Sequence, residues 1–311
     1  MNTVLPTNIP DYLEQLRQAL AGADPALVQD ALYDAEEYLR SELSENSGRS
    51  EAEVIAAVAS SYGAPEEVAD IYRDTEVKVQ TALRAPPPRP RKSAIGRFFG
   101  VAADPRAYAA LFYMVLSLAT GIFYFTWVVT GTSMSAGFAV LIIGIPFVIL
   151  FLGSVRMLSL LEGRIVEVML GERMPRRPLY GHRGRPLMER IKDMFLDPRT
   201  WSTVLYFLAM LPLGIVYFTL AVTLLSLSLA FIAAPLLVWF GIANSNISVD
   251  GWQVLQFGND MVTTSLQNWE LPLLFVCGFL LLFATLHLAR GIGRLHGLFA
   301  KHLLVKSAQY A

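Results

Sequence analysis

The chain has 311 residues, of which 54% are hydrophobic and 16% charged, with 25 Lys and Arg set against 26 Asp and Glu. A soluble globular domain carries roughly 25% charged residues, so this composition excludes a soluble fold over the whole length. The single cysteine, Cys277, excludes an intramolecular disulfide and a cysteine-based metal site.

The first residues, MNTVLPTNIP, lack a basic stretch followed by an apolar one, so no cleavable signal peptide is expected and the N-terminal region stays where it is made. Residues 1–82 form the first domain. Ile9, Leu13, Leu16 and Leu20, then Leu27, Ala31, Ala35, Tyr38 and Leu39, recur at helical spacing. Asp24-Pro25 is a helix start, with a capping carboxylate and a proline at the first helical position. Gly63-Ala64-Pro65-Glu66-Glu67 ends one helix and opens a last one through Val68, Ile71 and Tyr72. Residues 1–80 hold 16 acids and 5 bases, so this small bundle is strongly acidic and is repelled by nucleic-acid phosphate.

Residues 83–103 read as a linker. Arg84-Ala85-Pro86-Pro87-Pro88-Arg89-Pro90-Arg91-Lys92 favours an extended spacer, and its cations suit an anionic membrane surface.

Beyond the linker, 107–155, 200–243 and 271–289 contain no Asp, Glu, Lys or Arg. A bilayer-spanning helix takes about 20 apolar residues, so these windows are membrane segments. They belong to an internal duplication. Asp104-Pro105-Arg106 through Gly121 and Tyr124 matches Asp197-Pro198-Arg199 through Gly214 and Tyr217 at an offset of 93. Arg156 with Leu161-Glu162-Gly163 matches Arg290 with Leu295-His296-Gly297 at an offset of 134. The first copy occupies 104–190 and the second 191–311, each with two spans and an amphipathic stretch expected to lie in the membrane interface. Those stretches run through Leu160, Leu161, Ile165, Val168 and Met169, and through Ile292, Leu295, Leu298, Phe299 and Leu303.

Basic regions 81–106, 156–199 and 290–311 are placed on the cytoplasmic side, and loop 244–270, with Asp250, Asp260 and Glu270 and no Lys or Arg, on the outer side. Four spans satisfy that pattern. A fifth arises if 224–242 crosses in full, which would carry Arg290, Arg294, Lys301 and Lys306 outside, so a broken, re-entrant or outer-leaflet segment is expected there. The fold class is therefore all-α: a small soluble helical bundle plus a polytopic helical membrane domain of four or five spans.

No phosphate loop, zinc-protease helix or hydrolase elbow occurs, and Gly291-Ile292-Gly293 has His296 where a dinucleotide fingerprint needs its third glycine. His182, His287, His296 and His302 are scattered, so no metal or cofactor site is expected. Glu36-Glu37 and Glu66-Glu67 are adjacent on helices and diverge, which suits a solvated or partner-facing surface more than acid–base chemistry. Catalytic residues are thus expected to be none. Gly121, Tyr124, Gly214 and Tyr217 are the candidate packing or ligand positions within the membrane, because small residues admit close helices and a tyrosine hydroxyl there needs a partner. Arg156 and Arg290, at the ends of spans, are candidates for anchorage, headgroup binding or docking of the acidic domain.

Tyr12-Leu13-Glu14-Gln15-Leu16 and Tyr62-Gly63-Ala64-Pro65-Glu66-Glu67-Val68-Ala69 resemble the HAAS signalling domain, a small helical module found beside membrane regions and PadR-type regulators. The repeated Asp-Pro-Arg starts, Gly214-Ile215-Val216-Tyr217-Phe218 and Ala289-Arg290-Gly291-Ile292-Gly293-Arg294-Leu295 are similar to the bacterial "putative sensor" membrane domain, which often precedes a histidine kinase. Here the sequence stops at Ala311, soon after the last amphipathic stretch, so a separate partner is expected to carry any signal onward.

These resemblances imply a non-enzymatic sensor or relay in the bacterial cytoplasmic membrane, with its N-terminus cytoplasmic. Its expected partners are membrane lipids and a cytoplasmic protein: a PadR-type regulator, a kinase or a transporter subunit. Homo-oligomerisation is left open. The alternative is an accessory or scaffold subunit of a transporter or other membrane complex; a transporter in its own right is disfavoured by spans that hold no charge.

Overall fold

The computed structural model describes residues 6–83, 93–138, 144–178, 195–240, 247–249, 252–254 and 270–305. They divide into two compact units, one holding 1–86, 123–209 and 294–311 and the other 87–122 and 210–293.

Four helices open the first unit: α1 (Ile9–Ala19), α2 (Pro25–Glu45), α3 (Glu51–Ser61) and α4 (Pro65–Leu83). Each start has a local cause. The Asn8 side chain accepts from the Asp11 amide, Asp24 from the Ala26 amide ahead of Pro25, and Ser50 and Glu53 make a reciprocal capping box. Gly63 takes φ 121°, a conformation open to glycine, and its carbonyl accepts from the Tyr12 hydroxyl at 2.8 Å. The repeating apolar positions then meet. Leu16, Leu20, Ala31, Ala35 and Ile55 are wholly buried, with Leu39 and Val68 beside them. Each large aliphatic side chain so buried contributes about 1.5–3 kcal/mol. Ile71, expected in this core, is exposed, because α4 turns Val68, Ala69 and Tyr72 inward instead. Glu36 departs in the other direction: it is buried and paired with Arg40 at 2.8 Å rather than solvated.

The membrane domain is built on α6 (Pro105–Phe138), α7 (Gly144–Leu170), α8 (Pro198–Trp239) and α9 (Glu270–Leu304), preceded by the short α5 (Ala94–Phe99) and a 3-10 turn over Gly100–Ala103. Among the described residues, four helices are long and apolar enough to cross a bilayer. Part of the expected linker is thus helical, while its proline-rich run lies outside the described residues. Asp104 and Asp197 cap α6 and α8 in the same way, accepting from the amides of Arg106 and Arg199.

Two expectations change. Segment 224–239 is no separate or re-entrant piece: it continues α8, a single helix of 42 residues that passes through Pro212 and Pro235. A proline costs its helix one backbone bond, which an apolar helix tolerates when neighbouring groups take up the freed carbonyl. The amphipathic stretches expected to lie apart in the interface are likewise the last turns of α7 and α9. Nothing in either stretch breaks a helix: α7 ends only at Gly171, which adopts φ 77°. A small hairpin, β1 (Ile247–Val249) and β2 (Trp252–Val254), sits in loop 244–270, where no strand was foreseen.

In the second unit, α6 and α8 approach closely at two glycines. A Cβ added at Gly121 would stand 2.5 Å from the Met210 carbonyl oxygen, and one at Gly214 would stand 2.3 Å from that of Ser117. Ser117 and Met210 are themselves 93 positions apart, so the contact is reciprocal between the copies.

Candidate functional site

Both arginines singled out at span ends are paired, and the pairs are exchanged between copies. Arg156, from the first copy, donates from Nη2 to Asp197 Oδ2 at 2.9 Å and to the Thr200 hydroxyl at 3.2 Å, both in the second copy. Arg290, from the second copy, pairs with Asp104 of the first at 3.2 Å. One exchange lies in each unit. Gly121 and Gly214 both lie in the α6–α8 contact described above, against Met210 and Ser117 respectively, Tyr217 is half-buried on α8, and Tyr124 joins a different group of residues.

That group is a buried polar cluster. Glu162 on α7 is fully buried and accepts from the hydroxyls of Tyr124 and Tyr206, each at 3.0 Å. Tyr206 also lies 3.0 Å from His296 Nε2. With its one proton given to Glu162, the Tyr206 oxygen accepts from His296 Nε2–H, which fixes the tautomer. Phe207 stacks on Tyr124 with ring centroids 4.4 Å apart and closes the cluster on that side. Spans were expected to hold no charge; Glu162 lies inside one, because the stretch assigned to the interface belongs to α7. A buried ionisable group in a spanning helix is costly and is a functional position by default. Sequence did contain the signal: at the offset of 134, Glu162 and His296 occupy the same place, an acid in one copy and an imidazole in the other.

A third feature joins the acidic bundle to the membrane domain. Past Gly171 the chain turns and lays residues 172–178 against the N-terminal helices. Arg173 is the hub: Nη2 donates to Asp30 Oδ2 at 2.8 Å, Nε to Glu76 Oε2 at 3.2 Å, and Nη1 lies 3.4 Å from Glu167 Oε1. The amides of Arg176 and Arg177 both donate to Asp30 Oδ1, at 2.7 and 2.8 Å. Arg177 also pairs with Asp34 at 2.9 Å and stands over the Tyr33 ring. Burial pushes the Asp30 carboxyl up, against the pull of the Arg177 amide and of Arg173. Burial alone would lower the Arg173 guanidinium, but Asp30 and Glu76 outweigh it and hold it above its ordinary value. Lys301, on the last turn of α9, adds a bond to Asp24 at the head of α2.

Gln29 connects this dock to the span ends. Its Oε1 accepts from Arg199 Nη1 at 2.6 Å, and its Nε2 donates to the Arg177 carbonyl at 2.5 Å. Gln29 and Arg199 also line a cavity of about 280 Å³, together with Arg156, Ser159, Thr200 and Thr203. One turn of α2, at Gln29 and Asp30, thus bonds both Arg199 and the residues beyond α7.

The family described as "Putative sensor" matches residues 113–304, and HAAS matches residues 11–71. The chain belongs to the "Putative sensor" family. Neither a curated protein nor a solved structure matches it. The HAAS match covers the helices that carry Gln29 and Asp30, and the sensor match covers Glu162, Arg173 and Arg199. The dock is therefore an interface between two families joined in one chain. Among the described residues, no three His, Cys, Asp or Glu side chains are grouped to hold a metal ion.

Proposed function

We propose that this chain is a non-enzymatic membrane sensor that relays a change in its helical membrane domain to a cytoplasmic partner by altering how firmly its HAAS helices are docked. The observation that carries this reading is the turn of α2 at Gln29 and Asp30. Two adjacent side chains take hold of Arg199 at the start of α8 and of Arg173, Arg176 and Arg177 beyond α7. Both helices contribute to the buried Glu162 cluster, Glu162 from α7 and Tyr206 from α8. A shift between α7 and α8 therefore changes the spacing of the groups that hold the bundle, and buried ion pairs tolerate little misalignment.

The membrane is a bacterial cytoplasmic membrane and the bundle lies on its inner face, the side to which their basic character assigns 156–199 and 290–311, the stretches that hold it. The partner is a protein, a PadR-type regulator or a kinase, that reads the acidic surface exposed when the dock loosens. The test has two arms. Deleting residues 1–80 should abolish the downstream transcriptional response, and Asp30→Ala, which loosens the dock, should make the response constitutive. A response that survives the deletion unchanged sinks the reading.

A further inference from the structure

The two exchanged pairs provide a control within one molecule. In the second unit, the α9 position that answers to Gly153 of α7 is His287, at the offset of 134. His287 Nε2 bonds the Phe98 carbonyl at 3.0 Å, and the Phe98 ring stacks on the imidazole at 5.4 Å between centroids. Phe98 and Phe99 both pack on Phe283, and Val101, Ala107 and Leu286 complete a small core. The corner beside Arg290 and Asp104 is filled by aromatic side chains.

Among the described residues, the corresponding corner of the first unit is open. Gly153 offers no side chain, a Cβ there would have nothing within 4 Å, and the cavity of about 280 Å³ lies beside it. Arg156 and Arg199 face this cavity with Asp197 as the nearby carboxylate, so among the described residues two cations meet one anion. Among the described residues no carboxylate lies within 4 Å of the Arg199 guanidinium, whose bonded partner is the neutral Gln29. The hydroxyls of Thr203 and Ser159 line the same space. Thr200 is shared with a second cavity of about 340 Å³, which is lined mainly by apolar side chains, among them Val128, Phe151, Trp201 and Leu208. A cationic pocket joined to an apolar groove fits a molecule with an anionic head and a hydrocarbon chain.

We propose that this corner is a binding site for one anionic phospholipid, its phosphate against Arg156 and Arg199 and one acyl chain along Val128, Phe151 and Leu208. The phosphate competes with Gln29 for Arg199. This names the stimulus of the relay proposed above and rests on that reading for its consequence, though not for binding itself.

The test uses the full chain, purified in detergent, titrated with phosphatidylglycerol, phosphatidylcholine or inorganic phosphate and followed by native mass spectrometry. One phosphatidylglycerol should be retained in preference to phosphatidylcholine. Arg199→Gln should weaken retention by about fivefold or more. Gly153→Leu, which fills the cavity without touching a charge, should weaken it similarly, so the result does not depend on how well the arginine variant folds. Equal retention of the two lipids, or retention unchanged in both variants, overturns the proposal. Inorganic phosphate that competes as strongly as the lipid also overturns it, since the groove would then contribute nothing. Hydrogen exchange at α2 separates the two readings: lipid retained with no change at Gln29 and Asp30 leaves the site standing and removes its part in the relay.

Discussion

The corner of the second copy, at Arg290 and Asp104, is filled by aromatic packing; the corner of the first copy, at Arg156 and Asp197, borders a cavity of about 280 Å³. Both begin from the same arginine, aspartate and capped helix. One then receives Phe98 and His287, and the other receives a glycine, a cavity and a glutamine from the HAAS bundle. The same arginine, aspartate and helix start are therefore completed in two different ways.

The largest effect that would sharpen this contrast is at Arg173, which anchors the bundle to the first copy. Arg173→Met leaves Asp30 and Glu76 buried without a counter-charge, and should cost about 3–5 kcal/mol of docking. Hydrogen exchange across α2 and α4 should rise accordingly, while Arg294→Met, an exposed position of the second copy, should leave it unchanged. Equal effects would break the contrast.

Next comes the buried cluster. Tyr206→Phe removes a hydroxyl shared by Glu162 and His296 and should cost about 1–3 kcal/mol, and Tyr124→Phe, which leaves His296 its partner, should cost less. Thermal unfolding in detergent measures both. A comparable loss, about 1–3 kcal/mol, is expected for Gly121→Ala and for Gly214→Ala, because each Cβ meets backbone that cannot move aside. The two values should agree, since the contact is reciprocal, and Gly137→Ala, with open space around it, should be neutral.

The smallest effect is that of pH. Asp30 holds its proton more tightly in the folded state than in the unfolded chain, whose carboxyl has its ordinary value of 3.8. Its contribution to docking is therefore full below that value and declines as pH rises through the raised one. Hydrogen exchange at α2 should increase over that window, and Asp30→Asn should remove the increase.

Helical periodicity placed Leu16, Leu20, Ala31 and Ala35 in the core of the bundle, and Asp24-Pro25 marked a helix start, because caps and apolar faces depend on residues within one or two turns. Ile71 was misplaced since its spacing fits the pattern while its neighbours take the inward face. Glu162 was missed for a related reason. Within Leu160–Met169 it reads as the polar side of an amphipathic helix, and only Tyr124 and Tyr206, 38 and 44 residues away, turn that side into an interior.

The sequence alone pointed to the acidic helical bundle, to four or five apolar spans and to two matched stretches of sequence, because composition and repetition are properties of the chain read locally. It determined too that Arg156, Arg290, Gly121 and Gly214 hold corresponding places. Only the tertiary structure decided that the arginines exchange partners between copies, that Glu162 is buried, and that Gln29 and Asp30 grip the span ends. Those contacts join segments from 38 to 186 positions apart, as in Tyr124 with Glu162 and Asp104 with Arg290. No periodicity reaches across such separations; packing and the pairing of buried charge select them.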